Sequence, residues 1–274
     1  MRFSLITAFL SVIFILSASC SGKDKSAKSY LSEAEQSYQS GNYSLAKLKI
    51  DSIQILFPKA FDEINKGFAL MQDVRMGENK RNVAFCDSML NVNYAKLKEM
   101  LDQFSYVRDD RYQEFGEYHP KIYPQNVVYS QNGLRSGVGE KGMLFIESVF
   151  SGSNLRHNKI KVSTRDGNFA ETLPITSDGL NYRFTTINNT YEIVRYRGSD
   201  ENGIANFIFT FRNQPLTADF IGNRTVSVPL SDAAKKGISQ SFELSSLLLE
   251  IEQLKFEKGK SETLIRYLEE RKKK

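Results

Sequence analysis

Tryptophan is absent from this sequence, and only two cysteines and two histidines occur among its 274 residues. Two cysteines allow one disulfide at most, which excludes a disulfide-stapled scaffold, so the fold must rest on its core. Two histidines, His119 and His157, leave few candidates for a metal site or a His-based triad. No apolar run reaches the ~20 residues that a membrane-spanning helix needs, since the stretch from Leu5 to Leu16 is too short. A dominant charge sign is also missing. The net charge is +5, and much of the excess sits in the C-terminal "RKKK", so nucleic acid is not an expected partner. What remains is ordinary globular composition, 41% hydrophobic and 25% charged, far from that of a disordered chain.

The N-terminus carries an address. Met1 and Arg2 precede the Leu5–Leu16 run, and Ser17, Ala18 and Ser19 follow it, which is the layout of a secretory signal. Cys20 closes the run, and the segment 14–20, "FILSASC", resembles the lipobox of bacterial lipoproteins. That resemblance implies cleavage before Cys20, acylation of its thiol and attachment to a bilayer (a palmitate-type modification). One position departs from it, with Ser17 standing where an aliphatic residue is usual. Ser21 rather than Asp follows the cysteine, which in such proteins favours the outer over the inner membrane. With Cys20 acylated, Cys86 has no disulfide partner. "SGKDKSAKS" then reads as a flexible tether.

The segment "AEQSYQSGNYSLAKLKIDSIQILFP" resembles a tetratricopeptide repeat (TPR), a helical hairpin of about 34 residues. Ala34 and Ala46 stand where two helices would cross, Gly41 ends the first helix, and Ile50 and Ile53 share a face before Pro58 stops the second. A fainter copy lies 36 residues on, with Gly77 matching Gly41 and Cys86 matching Ile50, which predicts a second hairpin with Cys86 in its core. The repeat resemblance implies a protein partner bound on this helical surface.

Beyond it, Val83, Cys86, Leu90, Tyr94, Leu97, Leu101 and Phe104 recur at helical steps, and the stripe continues to about Phe115. A matching stripe runs through Leu244, Leu247, Ile251, Leu254, Ile265 and Leu268, with a kink expected at Gly259–Ser261. The two predict an antiparallel, coiled-coil-like stalk in which Leu90 meets the Leu268 region and Phe104 meets Leu247 and Ile251. Between them, "MLFIESVF", "KIKVSTR", "YRFTTI", "YEIVRY", "IANFIFTFR" and "RTVSVPL" read as short strands, with "KIYPQNVVYS" ahead of them. Turn pairs such as Asp166-Gly167 and Asn202-Gly203 separate several of them.

The expected architecture is therefore α+β: TPR-like hairpins, a long antiparallel helical stalk, and an antiparallel β-sandwich or barrel inserted between the stalk helices. Its parts are a signal (1–19), a lipidated tether (20–29), TPR-like helices (30–78), a first stalk helix (79–116), a β domain (117–236) and a C-terminal helix (237–274). No catalytic constellation emerges. His119, near Glu117, reads as junction packing and His157 as a solvated turn residue. Asp109, Asp110, Glu114 and Glu117 read as a solvated helix end, and the "GKS" at Gly259 lacks its upstream glycine. No cofactor or metal is expected. The function that follows is a membrane-anchored envelope lipoprotein with a non-catalytic protein-binding or assembly role. The alternatives are a cell-wall or envelope-protein-processing enzyme with its site in the β domain, or a surface glycan-binding lipoprotein.

Overall fold

The computed structural model describes residues 26–123, 132–152, 154–176, 181–186 and 190–272. Cys20 and its signal, most of the tether, and most of "KIYPQNVVYS" lie outside them. The chain is mixed α and β, with five α-helices and two antiparallel sheets among the described residues. It divides into two units, one ending at Glu78 and the other starting at Asn79.

In the first unit, α1 (Ala27–Gln39) and α2 (Tyr43–Leu56) turn back on each other through Gly41, whose φ of 74° suits glycine. Ser26 and Asn42 cap the two helices, their side chains accepting from the Ser29 and Leu45 N–H groups. Ala34 and Ala46 are fully buried where these helices approach, and Ile50, Met71 and Val74 fill the space beside them. Helix α3 (Phe61–Leu101) then runs without a break through Gly77. The second hairpin expected from the Gly41–Gly77 match does not form. Gly77 serves close approach instead, since a Cβ there would lie 3.0 Å from the Tyr43 ring.

In the second unit, the later part of α3 lies antiparallel to α5 (Asp232–Lys272). Asn82 donates to the Ser261 hydroxyl at 2.8 Å, Lys258 pairs with Asp87 at 2.6 Å, and Phe104 clusters with Leu244 and Leu248. Two expectations fail here. Leu90 packs with Leu247 and Ile251 rather than near Leu268. Helix α5 also passes unbroken through Gly259 and Ser261, because Asn82 and Asp87 face that polar interruption. Cys86 is buried at 1% exposure, and that burial is the main cause raising its thiol pKa.

The helix also stops earlier than its apolar stripe. Residues 104–107 form β1 (Phe104–Val107), paired with β2 (Glu117–Pro120), because Phe104, Ser105, Tyr106 and Val107 alternate across a hairpin whose turn holds Asp109 and Arg111. Asp109, Asp110 and Glu114 therefore sit in a loop and Glu117 on β2, not on a helix end. The larger sheet continues with β3 (Gly133–Gly139) and β4 (Leu144–Gly152). Along the chain come β5 (Lys159–Thr164), β6 (Phe169–Glu171), β7 (Asn181–Thr185), β8 (Thr190–Arg197), β9 (Leu216–Ile221) and β10 (Thr225–Pro229). The sheet orders are β1-β2-β3-β4-β8-β7 and β10-β9-β5-β6. Ile146 and Val194 from the first sheet share one core with Ile160, Val162 and Phe220 from the second and Ile238 from α5.

"IANFIFTFR" is not a strand. Ile204–Thr210 forms the short helix α4, with Ile204, Ala205 and Ile208 inward. The Glu201 carboxylate accepts from the N–H groups of Gly203 and Ala205 at its start, and Phe207 meets Phe211 one turn apart. The alternating phenylalanines fit a helical pair as well as a strand face, and the acidic cap decides between them.

Candidate functional site

Strands β4 and β8 are neighbours, and alternation sends Ile146, Ser148 and Phe150 to the same inner face as Glu192, Val194 and Tyr196. Two polar residues thus enter an otherwise apolar layer. His157, from the β4–β5 connection, lies between them. Its Nε2 is 2.7 Å from Ser148 Oγ and its Nδ1 is 2.8 Å from Glu192 Oε2. Each of the three side chains is at 0% exposure. This corrects the sequence reading of His157 as a solvated turn residue. Its partner stands 35 positions away in sequence, so no local pattern could reveal the contact.

Glu192 does more than meet the imidazole. Its Oε1 accepts from the N–H groups of Leu155 (2.8 Å) and Arg156 (2.6 Å), and its Oε2 accepts from His157 N–H (2.9 Å). Successive backbone donors converging on one anion form a nest. Arg156, at a left-handed φ of 53°, turns the chain so that they converge. Burial favours raising the Glu192 carboxyl pKa, but the His157 imidazole and the Arg156 and His157 N–H groups outweigh it and hold the pKa well below 4.5. The group is a carboxylate, which only accepts, so His157 Nδ1 carries a proton toward it. Arg183 Nε lies 4.0 Å from Glu192 Oε1 at the rim.

The order Ser, His, carboxylate is that of an acyl-transfer triad, but two requirements of that chemistry are unmet here. A nucleophile needs an approach path, and Ser148, His157, Phe150 and Phe220 are all buried, with both phenylalanine rings against the imidazole. It also needs free N–H donors for the developing oxyanion. Ser148 lies mid-strand, opposite Leu134 of β3 and Val194 of β8, so sheet pairing flanks it on both sides. In this geometry the trio fastens the β4–β5 connection to β8.

The opposite face of the same sheet carries a partly exposed charge cluster. Arg195 Nη1 is 2.7 Å from Glu117 Oε1, and its Nε and Nη2 lie 2.8 and 2.6 Å from Glu147 Oε1. The guanidinium also lies 4.0 Å from the Phe145 ring centroid. His119 stands on β2, 3.4 Å from Glu117, not at a helix–sheet junction. Among the described residues no group of three His, Cys, Asp or Glu is placed to hold a metal ion.

A concave surface lies between α3 and α5. An open groove of about 560 Å³ is lined by Met100, Phe242 and Leu247, with Glu99, Glu243 and Glu250 against a single Lys96 on its walls. No described helix is long and apolar enough to cross a membrane. Cys20, the single site residue expected from sequence, lies outside the described residues. Comparison with protein-family models, with curated proteins and with solved structures finds no match for this chain.

Proposed function

We propose that the chain is an envelope lipoprotein, anchored through acylated Cys20, with the outer membrane favoured over the inner, and that it binds a protein partner without catalysis. In this reading a TPR-like hairpin and a helical stalk carry a β head of sandwich type. The observation that supports a binding role best is the α3–α5 groove, with its apolar floor and three carboxylates against one lysine. Its chemistry suits a helix with an apolar face and basic flanks. The sealed Ser148–His157–Glu192 trio weighs against the enzyme alternative, since its polar atoms are spent on holding the fold together.

Two measurements test the reading. Metabolic labelling with a fatty acid should mark the wild-type chain and leave Cys20→Ala unlabelled, and a labelled Cys20→Ala chain contradicts the anchor. A photoreactive residue at Ser246 should cross-link a protein in cells. The combined Glu99→Lys, Glu243→Lys and Glu250→Lys reversal should abolish that product. An unchanged product contradicts the acidic groove as the binding surface.

A further inference from the structure

Helix α2 has two apolar faces. Ala46, Ile50 and Ile53 turn inward at 0–6% exposure. On the other side, Leu48 is 60%, Ile55 75% and Leu56 55% exposed, and Leu45 extends the same stripe at 37%. At 100° per residue these four positions fall within about 100° of arc, the width of a face that a globular helix normally buries. Phe61, at the start of α3, is 69% exposed. It follows the C-terminal end of α2 closely in the chain, and Phe57 and Ala60 between them join Ala27 and Leu31 of α1 in one cluster. Ile55, Leu56 and Phe61 therefore lie toward the end of the unit where α1 begins, with Leu45 and Leu48 further along α2 on the same stripe.

That end is also the one the anchor reaches. Only five residues separate Cys20 from the α1 cap at Ser26, so the chain between them spans no more than about 20 Å. A short tether also holds whatever lies beside it at high effective concentration against the surface to which it is attached. We infer that the outer face of α2, with Phe61, rests in the interfacial layer of the bilayer that holds the anchor, lying in the membrane plane as an amphipathic helix does. This rests on the reading of Cys20 as the lipidated residue. It assigns to lipid a surface that the repeat resemblance would give to a peptide. Exposed Lys28, Lys59 and Asp62 border the end, so apolar burial and not charge drives the contact.

The absence of tryptophan makes the test direct. Ile55→Trp places one fluorophore on the face, and Gln54→Trp places one on the neighbouring exposed position that points away from it. Chains starting at Cys20 are coupled through that thiol to maleimide-headgroup lipid in phosphatidylethanolamine–phosphatidylglycerol vesicles, with Cys86 protected by burial. The expected result is a blue-shifted Ile55→Trp emission that brominated acyl chains largely quench, with Gln54→Trp unchanged by either. Water-like, unquenched emission from Ile55→Trp overturns the inference. A blue shift without bromine quenching does so too, because protein and not lipid then covers the face. The coupling is chemical, so this outcome does not depend on whether cells acylate Cys20, which the labelling experiment decides separately.

Discussion

The two faces of the six-stranded sheet carry similar groups in opposite surroundings. Inside, Glu192 meets His157 and three backbone N–H groups at 0% side-chain exposure. Outside, Glu117 and Glu147 meet Arg195 with all three side chains about one-fifth exposed. Water can replace a lost partner on the outer face, whereas nothing replaces one within the core. A buried charge is tolerated only when every one of its acceptors is used, and removing its partners leaves the full desolvation penalty. The inner trio should therefore dominate stability and the outer cluster should contribute little, although both look like ionic chemistry on one sheet.

The largest effect is expected from Glu192→Ala, which strands the N–H groups of Leu155, Arg156 and His157 together with His157 Nδ1. Denaturant unfolding should show a loss of about 3–5 kcal/mol. A loss below about 1 kcal/mol would mean that the connection does not depend on this carboxylate.

Acid should produce a smaller change through the same group. The folded pKa of Glu192 lies below its ordinary 4.5, so its contribution is full above that value and is lost as pH falls through the depressed folded pKa. Wild-type stability should drop with pH below 4.5, and Glu192→Gln should flatten that slope. Equal slopes in the two proteins would place the acid sensitivity elsewhere.

Arg195→Met, on the outer face, should cost about 1 kcal/mol or less, because its partners remain hydrated. A cost as large as that of Glu192→Ala would erase the distinction between the faces.

Much of this organisation was legible in the sequence, and the misses have physical causes. Ala34, Gly41 and Ala46 announced the first helical hairpin because close crossing and a left-handed turn each demand a particular residue type. Gly77 misled because glycine serves close approach as well as termination, and only the Tyr43 ring distinguishes the two. The apolar stripe of α3 ran on past Leu101 because Phe104 stays buried in the same cluster after the backbone changes to β1. The kink expected at Gly259–Ser261 failed because polar residues on a facing helix, Asn82 and Asp87, match the interruption.

The inner trio leaves a trace in the sequence. Ser148 and Glu192 occupy the inward phase of strands whose other inward residues are Ile146, Phe150, Val194 and Tyr196, and a charge in that phase requires a buried partner. Which residue supplies it depends on a contact across 35 positions, which neither period nor motif encodes.

Ser148, His157 and Glu192 have the order of a triad but serve to hold the fold. Treatment of the native, full-length protein with a fluorophosphonate, followed by peptide mass spectrometry, tests it most directly. The expected result is no adduct on Ser148 in the folded protein and a lowered unfolding midpoint for Ser148→Ala. A Ser148 adduct that forms at native pH and disappears in His157→Ala, with folding retained, would contradict it.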